Sequence, residues 1–179
     1  VLKDGDAVRL LPDGPAVRIR GVQVHGSEAD RAAAGQRTAV ALAGAGLKRE
    51  DVERGFTVVS DDAWEATSML TARLSVLPNS GWEIRHGQRV RVHLGTAEVM
   101  ARVALLEDEM LVPGSEGWAQ LRLEKPVVAR GRDRVVIRSY SPVTTIGGAI
   151  VVEAQPPKRK RLQDADRVRF QELLDGDDT

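Results

Sequence analysis

The sequence contains no cysteine and carries no net charge over its 179 residues. The absence of cysteine excludes a disulfide framework and a thiolate zinc site, and it suits a reducing compartment. Because 26 Lys and Arg residues balance 26 Asp and Glu residues, the chain as a whole does not attract nucleic acid. Any binding of RNA or DNA must therefore come from a local basic patch.

Long apolar runs and nucleotide-binding loops are also missing. No uninterrupted apolar run approaches the roughly 20 residues that a membrane helix needs, and the N-terminus lacks the pattern of a signal peptide. No G-x-x-x-x-G-K-S/T phosphate loop occurs, and Ala43–Gly46 is only a small-residue loop after a predicted strand. We therefore expect no membrane segment, a cytoplasmic location and no GTP binding within these residues.

Catalytic and metal-binding patterns are equally scarce. The three histidines have no metal-ligand spacing, and we interpret even His93, which alternates outward on a predicted strand, as a rim residue. The adjacent carboxylates Asp61 and Asp62 lie in a polar segment, and Ser27 lacks the ordered histidine and carboxylate of a catalytic triad. We predict no catalytic residue and no metal ligand in the chain.

Apolar and polar residues alternate over most of the chain up to residue 153, which predicts strands with one buried and one exposed face. The buried phase shifts by one residue at Gly21, between Val17–Ile19 and Val22–Val24, as at a β-bulge. In the later strands the alternation predicts a barrel core of Leu70, Leu74, Val90, Val92, Val99, Val103, Leu121, Val135 and Ile137.

Many short strands separated by turn residues, without intervening helices, favour antiparallel barrels. We predict an all-β chain with one barrel at residues 1–66 and another at 67–155, joined by the polar segment Asp61–Thr67. Residues 156–179 are predicted to form a linker and the start of a helix. Within it, the basic run Lys158–Arg161 (KRKR) is either a solvated linker, which its proline-rich setting favours, or a tract that contacts phosphates.

Four segments, in order along the chain, carry a family pattern: Ala39–Phe56 (AVALAGAGLKREDVERGF), Val90–Leu106 (VRVHLGTAEVMARVALL), Leu123–Val136 (LEKPVVARGRDRVV) and Arg138–Ile150 (RSYSPVTTIGGAI). Together they resemble the selenocysteine-specific elongation factors (the SelB family) and, more distantly, elongation factor Tu. The resemblance implies two β-barrels similar to the second and third domains of elongation factor Tu, which together hold an aminoacyl-tRNA.

In the first barrel, the resemblance assigns a role to Lys48–Gly55 (KREDVERG). In the family this loop meets the 3′ end of the tRNA. By position, Asp51 would pack against the terminal adenosine, and Arg54 would approach the aminoacyl ester or serve as counter-ion to the selenolate. A guanidinium suits such oxygens because it offers a rigid fork of donors. The alternative is that Arg54 pairs with Glu50 or Asp51 within its own loop.

In the second barrel, the resemblance places Ser139–Thr145 (SYSPVTT) against the T stem and acceptor stem of the tRNA. Hydroxyl groups such as those of Ser141 and Thr144 suit A-form RNA, and Arg138 would add a phosphate contact. The alternative is a plain turn organised by Pro142, with Tyr140 as a core or rim aromatic residue.

The resemblance also implies partners. These are selenocysteinyl-tRNA, the ribosome and, through winged-helix domains beyond the linker, a hairpin in selenoprotein mRNA. Family members carry a GTP-binding domain and an opening barrel strand before the segment that matches Val1–Leu11. We therefore expect the first barrel to be truncated at its N-terminus, with GTP and magnesium bound only by the parent protein. The alternatives are the barrel pair of a general elongation or initiation-type GTPase, or a structural β-barrel.

Overall fold

The computed structural model describes residues 1–176. They divide into two compact units, Val1–Ala66 and the chain from Thr67 onward. Strands dominate both units, as predicted, and the only helical elements in the described residues are one 3₁₀ turn and one α-helix. No helix formed by residues 1–176 is both long and apolar enough to cross a membrane.

The first unit is built from short antiparallel strands. Strand β3 pairs with β2, β4 and β6, while β2 also pairs with β7, and β1 pairs separately with β5. In place of a closed barrel, this unit therefore has an open sheet and a two-stranded ladder. The strands are β1 (Leu2–Lys3), β2 (Ala7–Leu11), β3 (Ala16–Val24), β4 (Ser27–Glu28), β5 (Arg31–Ala32), β6 (Thr38–Ala43) and β7 (Thr57–Val59).

The predicted β-bulge is confirmed on β3. The pairing of β3 with β6 shifts register between Ile19 and Gly21. Val17 and Ile19 are buried before the shift and Val22 is buried after it. The extra residue rotates the strand by one position, so that apolar side chains stay on the core side of the sheet.

The second unit contains a closed antiparallel barrel of six strands in the order β10, β11, β13, β8, β15, β14. The prediction of a closed barrel is thus confirmed here. Two short strands, β9 and β12, pair with each other outside the ring. The strands are β8 (Ala66–Val76), β9 (Ile84–Arg85), β10 (Arg89–Leu94), β11 (Ala97–Leu105), β12 (Met110–Leu111), β13 (Glu116–Val128), β14 (Arg134–Ser139) and β15 (Thr145–Glu153).

The barrel interior matches the predicted core, because all nine side chains are buried in one cluster. The structure also explains the glycine in the TIGG segment. A Cβ atom at Gly147 would collide with the backbone oxygen of Ser75 on β8, so that only glycine allows the two strands to approach. Ala149, two residues later, places its methyl group in the core.

A helix, α1 (Asp164–Asp175), follows the barrel as predicted and docks against it. Its one buried side chain, Phe170, is fully inaccessible and packs against Trp118 with a ring centroid distance of 5.3 Å. Leu106 and Val152 complete this satellite cluster. A short helix with one large apolar anchor obtains its stability from this packing rather than from helix propensity.

Arg159, in the basic run before α1, is held by several contacts. Its side chain is only 14% exposed and forms ion pairs with Glu153 (2.6 Å) and Asp166 (3.2 Å). Its backbone N–H donates to Oε1 of the buried Gln120, whose Nε2 donates to the carbonyl of Pro157. Arg159 therefore fastens this segment to the barrel, whereas Lys158, Lys160 and Arg161 are exposed.

Candidate nucleic-acid interface

A cluster of arginines covers the outer surface of the barrel around β10. Along this strand Val90, Val92 and Leu94 are buried, so the alternate residues point outward. The register places Arg89 opposite Arg102 of β11, and Arg102 opposite Arg122 of β13. On the other side, Arg91 lies opposite Arg138 of β14. We call this surface the arginine face: Arg89, Arg91, Arg102, Arg122 and Arg138.

Like charges directly opposite each other on neighbouring strands are unfavourable, and two carboxylates partly offset them here. Arg89 forms a bidentate pair with Glu124, at 2.7 Å from Nε and 2.6 Å from Nη2. Arg91 donates to Glu98 at 2.8 Å. The hydrogen bond from Arg89 lowers the pKa of Glu124, and the hydrogen bond from Arg91 lowers the pKa of Glu98. Both carboxylates are therefore charged at neutral pH.

The other three arginines of the face are in no ion pair of this kind, although Glu124 also attracts Arg102 and Glu98 also attracts Arg138 at longer range. Arg102, Arg122 and Arg138 form no ion pair with any carboxylate of residues 1–176. Five arginines and two glutamates leave an excess of three positive charges on the arginine face. An otherwise neutral chain thus has a local surface that attracts anions.

Tyr140 lies at the edge of the arginine face and is 51% exposed. Its ring is 5.0 Å from the guanidinium carbon of Arg89 and 6.0 Å from that of Arg91. Of the two positions predicted for Tyr140, core or rim, the structure shows the rim. An accessible ring beside arginines offers both stacking and charge, the two contacts that proteins use on exposed nucleotides.

The segment after Arg138 is a tight loop fixed by Ser139. The buried Ser139 hydroxyl donates to the carbonyl of Pro142 and accepts from the N–H of Thr144 at 3.0 Å. Ser139 N–H in turn donates to the carbonyl of Thr144 at 2.9 Å. The loop leaves Ser141 and Thr144 exposed, and it follows directly on Arg138 of the arginine face.

The predicted 3′-end residues lie together on an exposed loop of the first unit. The 3₁₀ turn Arg49–Asp51 begins this loop, and a carboxylate oxygen of Asp51 accepts the N–H of Lys48 at 2.8 Å. Asp51 therefore shapes its own loop. Arg54 is exposed three residues later. Their contacts with an aminoacyl end stay a prediction.

The carboxylates Asp61 and Asp62 have structural contacts. Arg9 donates to the carbonyl oxygens of Asp61 (3.1 Å) and Trp64 (3.0 Å) and pairs with Asp62 at 3.3 Å. Asp61 itself accepts the N–H of Ala63. The two acids thus organise the polar end of the first unit, and residues 1–176 contain no group of three acidic or histidine side chains placed to hold a metal ion.

Sequence inspection identified Arg138 but missed the rest of the arginine face. The signal present in the sequence is the alternation of arginine with valine in Arg89–Val92 and of arginine with leucine in Leu121–Leu123. Alternation shows that these arginines point outward. It does not show which of them lie opposite one another, because that depends on the strand register.

Three comparisons with known proteins all find selenocysteine-specific elongation factors. The model of the β-barrel domain of selenocysteine-specific elongation factors matches residues 71–158. The selenocysteine-specific elongation factor of Desulfomicrobium baculatum is 31% identical over 89% of this chain and 25% of its own length. That of Escherichia coli K12 is 30% identical over 88% of this chain and 24% of its own length. The chain therefore spans about a quarter of the length of these relatives.

Among solved structures, translation elongation factor SelB from Methanococcus maripaludis in its apo form is similar, with a TM-score of 0.73. It is 22% identical in sequence, and the match covers 87% of this chain and 37% of that one. At this identity the likeness supports the fold, namely the strand-rich arrangement described above.

Proposed function

The chain carries the β-barrel domain of the selenocysteine-specific elongation factor family over residues 71–158, and we propose that it binds tRNA through the arginine face. The observation that carries this proposal is the excess of three positive charges on one side of the barrel, beside an exposed tyrosine. No comparable set of convergent groups supports an enzymatic reaction in the described residues.

The chemistry of the arginine face suits an RNA stem. A-form RNA presents phosphates and 2′-hydroxyls rather than base edges to a flat protein surface. Guanidinium groups bind phosphate oxygens through two parallel hydrogen bonds. Ser141 and Thr144 add exposed hydroxyls at the rim, which suit sugar and phosphate oxygens. The barrel would thus hold the acceptor and T stems without selecting a base sequence.

The first unit has a complementary role in this proposal. The exposed loop that carries Asp51 and Arg54 receives the 3′ adenosine and the aminoacyl ester. We propose that the amino acid is selenocysteine, because its ionised selenol offers Arg54 a negative charge that serine lacks. A site built around a charge discriminates strongly against a neutral analogue, since the charge is then left unpaired. Delivery to the ribosome belongs to the same proposal.

The proposal is tested by removing single arginines and titrating tRNA. Arg138→Ala and Arg122→Ala should each weaken binding of charged and uncharged tRNA alike, and each should reduce the salt dependence by about one phosphate contact. Arg85→Ala is the matched control, because Arg85 is an exposed arginine on β9, outside the six-stranded ring. Unchanged affinity and salt dependence in both face variants would exclude the arginine face as the binding surface.

A further inference from the structure

Two glutamates lie within the arginine face, and both are accessible. The side chain of Glu124 is 41% exposed and that of Glu98 is 48% exposed, so neither is a buried group that the fold requires for packing. Each accepts hydrogen bonds from one arginine, Glu124 from Arg89 and Glu98 from Arg91. The other arginines of the face have no such partner among residues 1–176. The charge of Glu124 also acts on Arg102, and that of Glu98 also acts on His93 and Arg138.

The geometry of the Arg89–Glu124 pair matches the geometry of phosphate recognition. Two carboxylate oxygens accept from Nε and Nη2 of one guanidinium. The same two donors would bind two oxygens of a phosphate, because carboxylate and phosphate fit the guanidinium fork in the same way. A phosphate that uses this fork of Arg89 must therefore displace Glu124. Arg91 donates to Glu98 through Nη1 alone, so a phosphate that takes this donor position competes with Glu98 for it.

We propose that Glu98 and Glu124 act as intramolecular competitors of RNA phosphate, which lower the affinity of the arginine face for RNA of any sequence. The inference rests on the proposed RNA-binding function and adds a determinant of specificity to it. A face with five uncompensated arginines would bind every RNA stem, since phosphate contacts carry no sequence information. When Glu98 and Glu124 neutralise part of the arginine face, discrimination between tRNA species depends more on contacts elsewhere, such as those at the aminoacyl end.

Tyr140 supports the replacement of a glutamate carboxylate by a phosphate on the arginines. Its ring contacts the guanidinium groups of both Arg89 and Arg91. This contact does not involve the carboxylates, so it would hold the two arginines in place when a phosphate replaces Glu98 or Glu124. The exchange then requires only the flexible glutamate side chains to move, which keeps its cost small.

A purely structural role for the two glutamates makes a different prediction. If they only relieve repulsion between opposed arginines, replacing them should lower thermal stability and leave RNA affinity unchanged. If they compete with phosphate, replacing them should raise RNA affinity. Glutamine is the suitable replacement, because it keeps the size and one acceptor oxygen of glutamate but removes the negative charge.

The experiment uses the 179-residue chain with Glu98→Gln, Glu124→Gln and both together. The probes are an unmodified tRNA transcript and an RNA duplex of unrelated sequence, titrated by filter binding at two salt concentrations. We expect each single variant to bind both probes about threefold to tenfold more tightly. The double variant should also show a steeper salt dependence, by about two phosphate contacts.

Two controls make the result specific. Glu116→Gln removes a carboxylate that pairs with Arg73 at 3.4 Å. Arg73 lies on β8, the strand opposite β10 in the six-stranded ring. This variant should change neither the affinity for RNA nor its salt dependence. Adding Arg89→Ala to Glu124→Gln should abolish the gain, because the released arginine is then absent. A gain that survives this second change would contradict the proposal.

The remaining outcomes separate this inference from the proposed function. If the original chain binds tRNA but the glutamine variants bind equally or more weakly, the competitor role is excluded and the RNA-binding function stands. If neither the original chain nor the double variant binds RNA, both are excluded, because even the arginines released from their carboxylates then have no affinity for it.

Discussion

At the scale of single residues, the function proposed for this chain depends on arginines in two different environments. Arg138 belongs to a face of five arginines, where each phosphate contact adds to general affinity. Arg54 stands on an exposed loop of the first unit, where the proposed ligand is one defined group, the ester or selenolate of the aminoacyl end. The two residues should therefore respond differently to the state of the tRNA.

Arg54→Ala should weaken binding of selenocysteinyl-tRNA more than binding of uncharged tRNA. Its guanidinium would form a charge-assisted hydrogen bond with a group that only the charged form carries. Such bonds contribute about 1.5 to 3 kcal/mol, which corresponds to a tenfold to hundredfold change in affinity. Filter-binding titrations with both tRNA forms measure the difference. Arg54→Lys should recover only part of the loss, because a point charge replaces a planar fork.

Equal losses for the two tRNA forms would remove the selenol-recognition hypothesis. Arg54 would then be a backbone contact or a member of an ion pair within its own loop. The Arg138→Ala variant provides the comparison, since equal losses are what we expect there.

At the scale of strands and helices, the sequence predicts what depends on local pattern. Alternation identified the nine core side chains, and the phase shift at Gly21 identified a bulge. The sequence did not predict that Arg89 lies opposite Arg102, or Arg102 opposite Arg122. Strand register is set by contacts between distant segments, and the local pattern does not reveal it. The contacts of Arg159 were missed for the same reason. Glu153 lies six residues before Arg159, and Gln120 lies thirty-nine residues before it. Only the fold brings these three side chains together.

The docking of α1 should depend on one side chain. Phe170→Ala removes the fully buried anchor of the helix, and large-to-small changes of this kind cost about 3 to 5 kcal/mol. Because α1 makes few other apolar contacts, we expect the helix to detach while the barrel stays folded. Amide hydrogen exchange should then speed up over residues 164–175 and stay slow in β10 and β11.

Val168→Ala is the matched control for this prediction, because Val168 lies on the same helix and is 59% exposed. It should leave exchange in α1 nearly unchanged. Global unfolding of the barrel by Phe170→Ala would show instead that α1 and the barrel fold as one cooperative unit.

At the scale of the whole molecule, the chain combines zero net charge with a local excess of positive charge on the arginine face. In the proposed function, this arrangement limits long-range attraction to nucleic acid and directs RNA to one side of the barrel. Binding and hydrolysis of GTP by the known phosphate-binding loops require such a loop, a lysine and a magnesium ligand, and the sequence contains no such loop.

The chain should accordingly show no saturable binding of GTP with magnesium in isothermal titration calorimetry. Titration of the same GTP and magnesium solution into buffer alone is the control for heats of dilution. A measurable dissociation constant for GTP would mean that these 179 residues contain a nucleotide site of an unfamiliar kind.

The central claim, that RNA lies along the arginine face, is tested most directly by mapping crosslinks. A tRNA containing photoreactive 4-thiouridine in its acceptor and T stems is irradiated with the chain, and the attached peptides are identified by mass spectrometry. We predict crosslinks to Arg89–Leu94 on β10 and to the loop 139–144, with Tyr140 as the main acceptor, and their loss in competition with unlabelled tRNA. Competed crosslinks confined to β8, on the opposite side of the barrel, would contradict the account.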